Sequence, residues 1–240
     1  VALVTGGGSG IGRATAARFA ELGYSCVVAD IDEQSAKETL GMLQTPGIAV
    51  QVDVTMATSV EAMVTAAVQR FGRIDCAFNS AGIGTNSHRV VDALEDEFDR
   101  VMDVNVKGVW LWADKPDLCR FRGVRGSVVN ASSLAGLHSF PIISAPYCAS
   151  KFAVLGLTQT AAMEYAKEGI RVNAVCPSIT ATPMTFRTLE MAPPGIEETM
   201  ASMHPAGRIA APEEVAEAVC WLSSDACPFT TGEHLKIAGG

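Results

Sequence analysis

Short apolar or β-branched runs alternate along the chain with longer segments of helical periodicity. The runs lack a polar alternation, which is typical of strands buried on both faces of a parallel sheet. They predict strands over residues 1–5, 26–29, 49–52, 74–78, 127–130 and 171–176. The segments between them, notably 11–22, 60–71 and 147–167, are long enough for crossover helices. This order predicts βαβ units and an α/β fold, a doubly wound parallel sheet with helices on both faces.

The chain has no internal repeat, low-complexity tract or Pro/Gly/Ser-rich linker, so we expect a single domain over residues 1–240. Residues 183–208 depart from the strand–helix rhythm, because methionines and other apolar residues surround Pro193, Pro194 and Gly195. Two interpretations stay open: a substrate lid inserted in the domain, which we take as the working prediction, or a helix pair packed permanently on the core. Methionine often fills core gaps and does not decide between them.

Composition excludes several functional classes. The net charge is −8, which provides no basic surface for nucleic acid or for an anionic membrane. The longest charge-free stretch, 126–150, contains an asparagine, serines and two prolines, so it does not predict a membrane helix. Seven cysteines without a C-x-x-C pair or a Cys/His cluster predict no structural zinc and a reducing, cytoplasmic location. The first residues already read as a strand, so no signal peptide is expected.

A glycine-rich turn follows the first predicted strand and precedes the first predicted helix. The sequence from Thr5 to Gly12 reads TGGGSGIG. Glycines at this place allow a tight turn and a close approach of the backbone to a pyrophosphate, which the helix N-terminus then binds. The strand–turn–helix context makes this a dinucleotide site rather than a chance glycine run. The residues predicted to contact the cofactor here are Gly6, Ser9, Gly10, Ile11 and Gly12.

Asp30 ends the second predicted strand, at the spacing expected for a carboxylate that accepts hydrogen bonds from ribose hydroxyls. The same carboxylate repels a 2′-phosphate by about 1–4 kcal/mol, which corresponds to roughly ten- to thousandfold discrimination. Ser9, and no arginine or lysine, precedes Gly10. The sequence therefore predicts NAD(H) rather than NADP(H).

Tyr147 and Lys151 lie four residues apart in a predicted helix and so share one face of it. Moving a phenol from its usual pKa of about 10 to about 7 requires roughly 4 kcal/mol. An ammonium about 4 Å away supplies roughly that much at an effective dielectric of about 20. Our hypothesis is that Tyr147 is a general acid/base whose pKa Lys151 lowers. The alternative is a chance pair on an exposed helix.

Together these residues resemble the short-chain dehydrogenase/reductase family, and the likeness covers essentially the whole chain. Its glycine turn is matched by Thr5, Gly6, Gly10 and Gly12, and its adenine-contacting acidic residue by Asp53, followed by Val54. Its N-x-A-G stretch, near the cofactor ribose, is matched by Asn79, Ala81 and Gly82. Its catalytic asparagine, serine, tyrosine and lysine are matched by Asn105, Ser133, Tyr147 and Lys151.

The resemblance implies a Rossmann-like fold and a role for each of these residues. Ser133 would polarise the substrate oxygen, Tyr147 would handle the hydroxyl proton, and Lys151 would bind the ribose and lower the pKa of the phenol. Asn105 would hold a water that connects Lys151 to solvent. Residues at the nicotinamide carboxamide would be Pro177, Ser178, Ile179 and Thr182. Without the Tyr147–Lys151 pair, Ser133 would read as a loop hydroxyl and Asn105 as a helix-kink residue.

Three departures from the family pattern bear on these expectations. The separation of Ser133 from Tyr147 is one residue longer than usual, so Ser132 stays an alternative for the catalytic serine. Ser178 replaces the usual glycine after Pro177 and restricts the backbone there. Pro116 should end or kink the helix that builds a subunit interface in the family. A homotetramer or homodimer is expected, with altered helix geometry.

We expect an NAD-dependent oxidoreductase that acts on a small-molecule secondary alcohol or ketone with an apolar part. The alternatives are a 3-ketoacyl-thioester reductase and a catalytically silent NAD-sensing protein. A carbon–carbon double-bond reductase is disfavoured, because such relatives usually have a longer Tyr–Lys gap. His138 is more often solvated than substrate-facing in such a loop. The acidic run from Glu95 to Asp99 reads as a solvated helix face, and no metal is predicted.

Overall fold

A computed structural model describes residues 1–85, 89–113, 126–140, 143–190 and 195–240. Its centre is a parallel seven-stranded sheet in the order β3-β2-β1-β4-β5-β6-β7. The strands are β1 Ala2–Thr5, β2 Cys26–Asp30, β3 Gly47–Gln51, β4 Cys76–Asn79, β5 Gly126–Ala131, β6 Ile170–Pro177 and β7 His234–Ile237.

Helices cover both faces of this sheet. They are α1 Gly10–Glu21, α2 Glu33–Met42, α3 Ala57–Phe71, α4 Glu95–Met102, α5 Gly108–Ala113, α6 Ala145–Tyr165, α7 Pro183–Glu190, α8 Ile196–Ser202 and α9 Pro212–Ser223. One core cluster joins α1 and α9 to the sheet through Phe19 and Val219, and a second joins α3 and α6 through Met63 and Ala162. Burial of both sheet faces explains why the strands lack a polar alternation. The predicted doubly wound α/β fold is confirmed.

Successive strands are added on one side of β1 up to β3 and on its other side from β4 onward, because β1 pairs with both β2 and β4. In an open parallel sheet, this change of side leaves a crevice outside the carboxyl ends of the strands. Thr5 ends β1 between Ala29 of β2 and Asn79 of β4. The glycine-rich turn, Asp30 and the N-x-A-G stretch therefore meet at one edge of the sheet.

Several predicted boundaries differ from those in the structure. The third strand begins two residues earlier than predicted, at Gly47, and the fourth begins at Cys76. Strand β7 was not predicted, because its four residues are mostly only partly buried and carry no continuous apolar run. None of the helices described combines the length and the apolar character needed to span a bilayer. Pro116, the predicted helix breaker, lies outside the described residues.

Candidate active site

A cleft of about 630 Å³ opens at the carboxyl edge of the sheet. Its wall includes most of the residues predicted from the sequence, namely Gly6, Ser9, Gly10, Ile11, Gly12, Asp30, Asp53, Val54, Ala81, Gly82, Tyr147, Lys151 and Thr182. It also includes residues that no motif indicated, among them Ile31, Ser35 and Arg100, and two residues of the predicted lid, Met184 and Arg187. Of these, Ile31 and Ser35 lie close to Asp30 in the chain, which is the one sequence signal that could have identified them.

The glycine turn between β1 and α1 has the shape that a dinucleotide requires. Gly6 and Gly10 have positive φ angles of 65° and 51°, a region that favours glycine. A Cβ at Gly6 would lie 2.8 Å from the Ala81 nitrogen, and one at Gly12 would overlap the Gly6 carbonyl. The first turn of α1 has no side-chain cap and no acidic residue, so its N–H groups suit an anion. These residues fit a pyrophosphate.

Asp30 is fixed against the same turn. One carboxylate oxygen accepts a hydrogen bond from the Gly8 N–H (2.9 Å), and the other accepts one from the Asp32 N–H (3.1 Å). A Cβ at Gly8 would lie 2.8 Å from the first oxygen, so the turn and the carboxylate need this glycine to meet. Asp30 therefore presents a negative charge at the place where a ribose would follow the pyrophosphate.

Asp53 is also held in position, because its Oδ1 accepts hydrogen bonds from the Thr55 N–H (2.9 Å) and hydroxyl (2.7 Å). Its other oxygen has no bond to Thr55 and is compatible with an adenine contact. Val54 beside it is buried and packs against Gly108 at the start of α5. The cleft wall thus extends to the loop that follows β3.

Asn79 does not line the cleft. Its side-chain amide donates to Asn130 Oδ1 (2.9 Å), and the Asn130 amide donates to the Thr158 hydroxyl (3.0 Å). All three side chains are buried, and they tie β4 and β5 to α6. The side chain of Asn79 is therefore structural, while Ala81 and Gly82 of the same stretch line the cleft.

Asn105 lies in one π-helical turn, Asp103–Lys107, between α4 and α5. Its amide donates to Ile83 O (2.9 Å) and to Ser150 Oγ (3.0 Å), and its Oδ1 accepts from the Ile83 N–H (2.8 Å). Ser150 Oγ in turn donates to Tyr147 O (2.7 Å). Asn105 thus joins the loop after β4 to the first turns of α6. Ser150 was missed in the sequence, since one helical serine carries no pattern of its own.

Ser133 and Ser132 have different partners near Tyr147. The Ser133 hydroxyl lies near enough to the phenol to lower its pKa. It accepts from the Ala135 N–H (3.1 Å) and donates over a long distance to Pro177 O (3.5 Å). Ser132 is buried and donates to the Lys151 carbonyl (2.9 Å). Ser132 lines the cleft, whereas Ser133 is the serine whose side chain affects the pKa of the phenol.

Lys151 is 5 % exposed, and its ammonium donates to Ala131 O (2.9 Å) at 5.4 Å from the centre of the Tyr147 ring. Burial lowers the pKa of Lys151 to about 8. The pKa of Tyr147 is raised, because loss of solvent outweighs the opposing effect of the Ser133 hydrogen bond. This is opposite to the predicted direction. The physical reason is that burial removes solvent from the ionised phenol, while the Lys151 ammonium is bound to a backbone carbonyl.

The loop after β6 carries the residues predicted to contact the nicotinamide. Thr182 precedes α7, and its hydroxyl contacts the Thr185 hydroxyl (3.2 Å). A Cβ at Gly10 would lie 3.3 Å from the Thr182 side chain, so the start of α7 lies against the glycine turn. Pro177 and Ile179 lie behind this wall, where Pro177 O faces Ser133 and Ile179 O accepts from the Ala210 N–H (3.0 Å).

The predicted lid, residues 183–208, forms α7 and α8, and residues 191–194 between them lie outside the described part. Pro183, Met184 and Arg187 of α7 line the cleft. Met200 of α8 is buried. Helix α7 therefore has the position expected of a lid, since it lines the cleft, whereas the buried Met200 of α8 is as expected of a packed helix.

Two other candidate residues from the sequence, His138 and Cys148, are not among the residues that line the cleft. His138 is exposed, and Cys148 is partly buried beside Tyr147 as a free thiol. Within the described ranges, no group of His, Cys, Asp and Glu side chains is arranged to hold a metal ion.

The fold and the site together define a class of protein. A family model described as enoyl-(acyl carrier protein) reductase matches residues 6–240. The chain belongs to the short-chain dehydrogenase/reductase family of oxidoreductases, as its motifs predicted.

Particular relatives cover nearly the whole chain. A 2,5-dichloro-2,5-cyclohexadiene-1,4-diol dehydrogenase of Sphingobium indicum is 38 % identical over 239 residues, which is 99 % of this chain and 95 % of the relative. The crystal structure of levodione reductase has a TM-score of 0.95 at 34 % identity and covers 100 % of this chain and 96 % of its own. A 3-ketoacyl-(acyl-carrier-protein) reductase from Brucella melitensis, complexed with NADH, has a TM-score of 0.91 at 32 % identity, with coverage of 100 % and 96 %.

Proposed function

We propose that this protein is an NAD(H)-dependent oxidoreductase that interconverts a secondary alcohol and the corresponding ketone, on a small molecule with an apolar part. The observation that carries the proposal is the placement of Tyr147 and Lys151 together in the cleft wall, with the Lys151 ammonium 5.4 Å from the centre of the phenol ring. The similarity to a cyclohexadiene-diol dehydrogenase and to levodione reductase supports a carbinol or carbonyl carbon as the reacting centre.

A nicotinamide bound in the cleft supplies the acceptor or the donor of the hydride. In the oxidative direction, the carbinol C–H gives up a hydride, the O–H gives up a proton, and a C=O bond forms. Tyr147 accepts that proton, and Ser133 holds the substrate oxygen by a hydrogen bond. The Lys151 ammonium, 5.4 Å from the centre of the ring, would attract the ionised phenol against the desolvation that raises the pKa of Tyr147. Asn105 acts through Ile83 and Ser150 to hold the two walls of the site together.

Asp30 supports NAD(H) as the cofactor. Its carboxylate is fixed at the end of β2 by two backbone N–H groups, so it cannot turn away from a 2′-phosphate without losing both bonds. Arg13 does not offset this charge in the cleft, because its guanidinium donates to Gly8 O behind the turn and to Thr39. A Brucella relative that is described as complexed with NADH supports the same assignment.

The apolar part of the substrate would lie beside α7, where Met184 lines the cleft. We propose that residues 183–208 serve as a substrate lid within one catalytic domain of residues 1–240. The main alternative substrate is a 3-ketoacyl thioester, which the similarity to a 3-ketoacyl-(acyl-carrier-protein) reductase supports. A protein that binds NAD and turns over no alcohol is the second alternative.

The decisive test is NADH formation across a panel of secondary alcohols, with NADP as the competing oxidant. Wild-type protein should turn over at least one alcohol with NAD in preference to NADP. Tyr147→Phe should lower kcat by about 10²–10⁴-fold, the usual contribution of a general acid/base, and leave the Kd of NADH within threefold. The matched control is Tyr24→Phe, since Tyr24 packs on Phe19 far from the cleft.

Retained turnover in Tyr147→Phe would contradict the mechanism. Tight NAD binding by wild type without turnover of any alcohol or 3-ketoacyl thioester would instead favour the silent binding protein. Preference for NADP would overturn the assignment of Asp30.

A further inference from the structure

A buried histidine outside the predicted site contacts the residue that departs from the family pattern. Ser178 follows Pro177 at the end of β6, and His204 lies two residues beyond the end of α8. Ser178 Oγ and His204 Nε2 are 2.6 Å apart. His204 is 6 % exposed, so solvent does not compete effectively for this bond.

The second ring nitrogen fixes the direction of the bond. His204 Nδ1 lies 2.8 Å from Met200 O, the carbonyl four residues earlier. A carbonyl only accepts, so Nδ1 carries the hydrogen. In the neutral ring, Nε2 therefore accepts from the Ser178 hydroxyl. The imidazole thus bridges α8 to the segment that follows β6.

Ser178 is fixed on its other side to the catalytic wall. Its N–H donates to Ile237 O of β7 (2.9 Å), and its carbonyl accepts from the Thr180 hydroxyl (3.0 Å). The preceding carbonyl, Pro177 O, is the one that Ser133 Oγ contacts at 3.5 Å. A continuous series of contacts therefore runs from α8 through His204, Ser178 and Pro177 to Ser133.

Glycine at position 178 has no hydroxyl for His204, and this chain has serine where the family has glycine. Two backbone hydrogen bonds join the segment before α7 to the segment after α8. They are Ala181 N–H to Ala210 O (2.9 Å) and Ala210 N–H to Ile179 O (3.0 Å). Neither of them reaches α8 itself. The Ser178–His204 bond, with the His204–Met200 contact, connects α8 itself to the segment after β6.

We propose that Ser178 and His204 form a positioning pair, which holds α8 against the Pro177–Ser178 segment and thereby fixes Ser133 for the alcohol–ketone reaction. This inference rests on the proposed function above. Neither Ser178 nor His204 is among the residues that line the cleft. We therefore expect the pair to affect kcat for the alcohol rather than the Kd of NADH.

The test uses three single variants and one double variant of the whole protein. Ser178→Ala removes the hydroxyl. His204→Asn keeps a donor near Met200 O but is too short to reach Ser178, whereas His204→Gln reaches Ser178. Loss of one net hydrogen bond corresponds to about fivefold. We expect kcat to fall about fivefold in Ser178→Ala and in His204→Asn, with the Kd of NADH unchanged within twofold.

The double variant Ser178→Ala/His204→Asn should be no worse than either single variant, because both remove the same bond. His204→Gln should retain at least half of the wild-type kcat. The control is Ser202→Ala, which removes an exposed α8 hydroxyl that donates to Thr199 O of its own helix. Effects that multiply in the double variant, or single variants equal to wild type, would overturn the proposal.

Amide hydrogen exchange of α8 in the same proteins separates this proposal from the proposed function. Faster exchange at 196–204 in Ser178→Ala and His204→Asn, but not in Ser202→Ala, is expected even if wild type turns over no alcohol. In that case the proposed function fails while the pair stands. Unchanged exchange in both variants would contradict the proposed positioning pair, whatever the turnover.

Discussion

At the scale of single residues, Lys151 is a buried ammonium in the candidate site whose charge lowers the stability of the folded protein. Its ammonium is buried against Ala131 O, and burial lowers its pKa from 10.5 to about 8. Below about pH 8, the charge is present in both the folded and the unfolded chain, and the folded environment disfavours it. Above that pH the folded chain releases the proton first.

The pH dependence of stability should therefore change when this lysine is removed. Between about pH 8 and 10.5 the unfolded state binds more protons, so wild-type stability rises with pH. Relative to Lys151→Met, the free energy of unfolding of wild type should rise by about 1–3 kcal/mol from pH 7 to pH 10. Urea unfolding at both pH values, without cofactor, measures this difference.

The control for this measurement is Lys37→Met, because Lys37 is an exposed lysine that pairs with Glu33 on α2. It should show no comparable rise over the same interval. A difference between wild type and Lys151→Met that stays constant or falls with pH would show that the ammonium is not disfavoured by the fold.

Single residues also show what the sequence could predict. Asp30 and the Tyr147–Lys151 pair were identified, because their signal lies in local spacing. Spacing alone does not distinguish Ser132 from Ser133, because their roles depend on which residue of α6 each hydroxyl approaches in the fold. The raised pKa of Tyr147 depends on desolvation, which no spacing reveals.

At the scale of secondary-structure elements, the decisive unit is β1, its glycine turn and α1. Gly12 lies in the first turn of α1 directly over the Gly6 carbonyl. The close approach lets the strand end and the helix start meet at the cleft. A side chain at position 12 would force them apart.

Gly12→Ala should consequently lower stability by about 1–3 kcal/mol, the usual cost of overpacking, and weaken NADH binding at least tenfold. Gly41→Ala is the matched control, since a Cβ at Gly41 meets nothing within 4 Å. It should leave NADH binding unchanged and raise stability by at most about 1 kcal/mol through helix propensity. Fluorescence titration with NADH and urea unfolding measure both quantities. Wild-type affinity in Gly12→Ala would disprove the close-approach argument.

Element boundaries were predicted less well than element types. Helix α6 was expected from residue 147, but it begins at Ala145 with Pro146 in its first turn, where a proline is tolerated. The π-helical turn around Asn105 was not predicted; a helix-start or kink residue was only the alternative to its catalytic role. The turn is accompanied by tertiary bonds of Asn105 to Ile83 and Ser150, which the sequence does not reveal.

At the scale of the whole molecule, one surface carries exposed apolar side chains from neighbouring helices. Trp110 of α5 is 45 % exposed, and Phe152 and Met163 of α6 are 47 % and 82 % exposed. Gly156 lies between the last two on α6, with open space around its Cβ position. We propose that a second copy of the chain covers this surface in a homodimer or homotetramer.

Met163→Glu should shift the oligomer to smaller species at equal protein concentration, because it places a charge in an apolar contact. Met42→Glu on α2 is the control, since Met42 is also exposed but lies on another helix. Light scattering coupled to size-exclusion chromatography measures both. An unchanged mass for Met163→Glu, or a monomeric wild type, would contradict the proposed surface.

The sequence by itself determined the doubly wound fold, the glycine turn, the carboxylate at Asp30 and the Tyr147–Lys151 pair. Each depends on periodicity or on neighbours along one chain segment, which local physics expresses directly. Tertiary structure alone decided which serine meets Tyr147, that Asn79 turns into the core, and that His204 bonds to Ser178. These features join residues distant in the chain, and they depend on burial and on hydrogen-bond competition that arise only when the helices pack on the sheet.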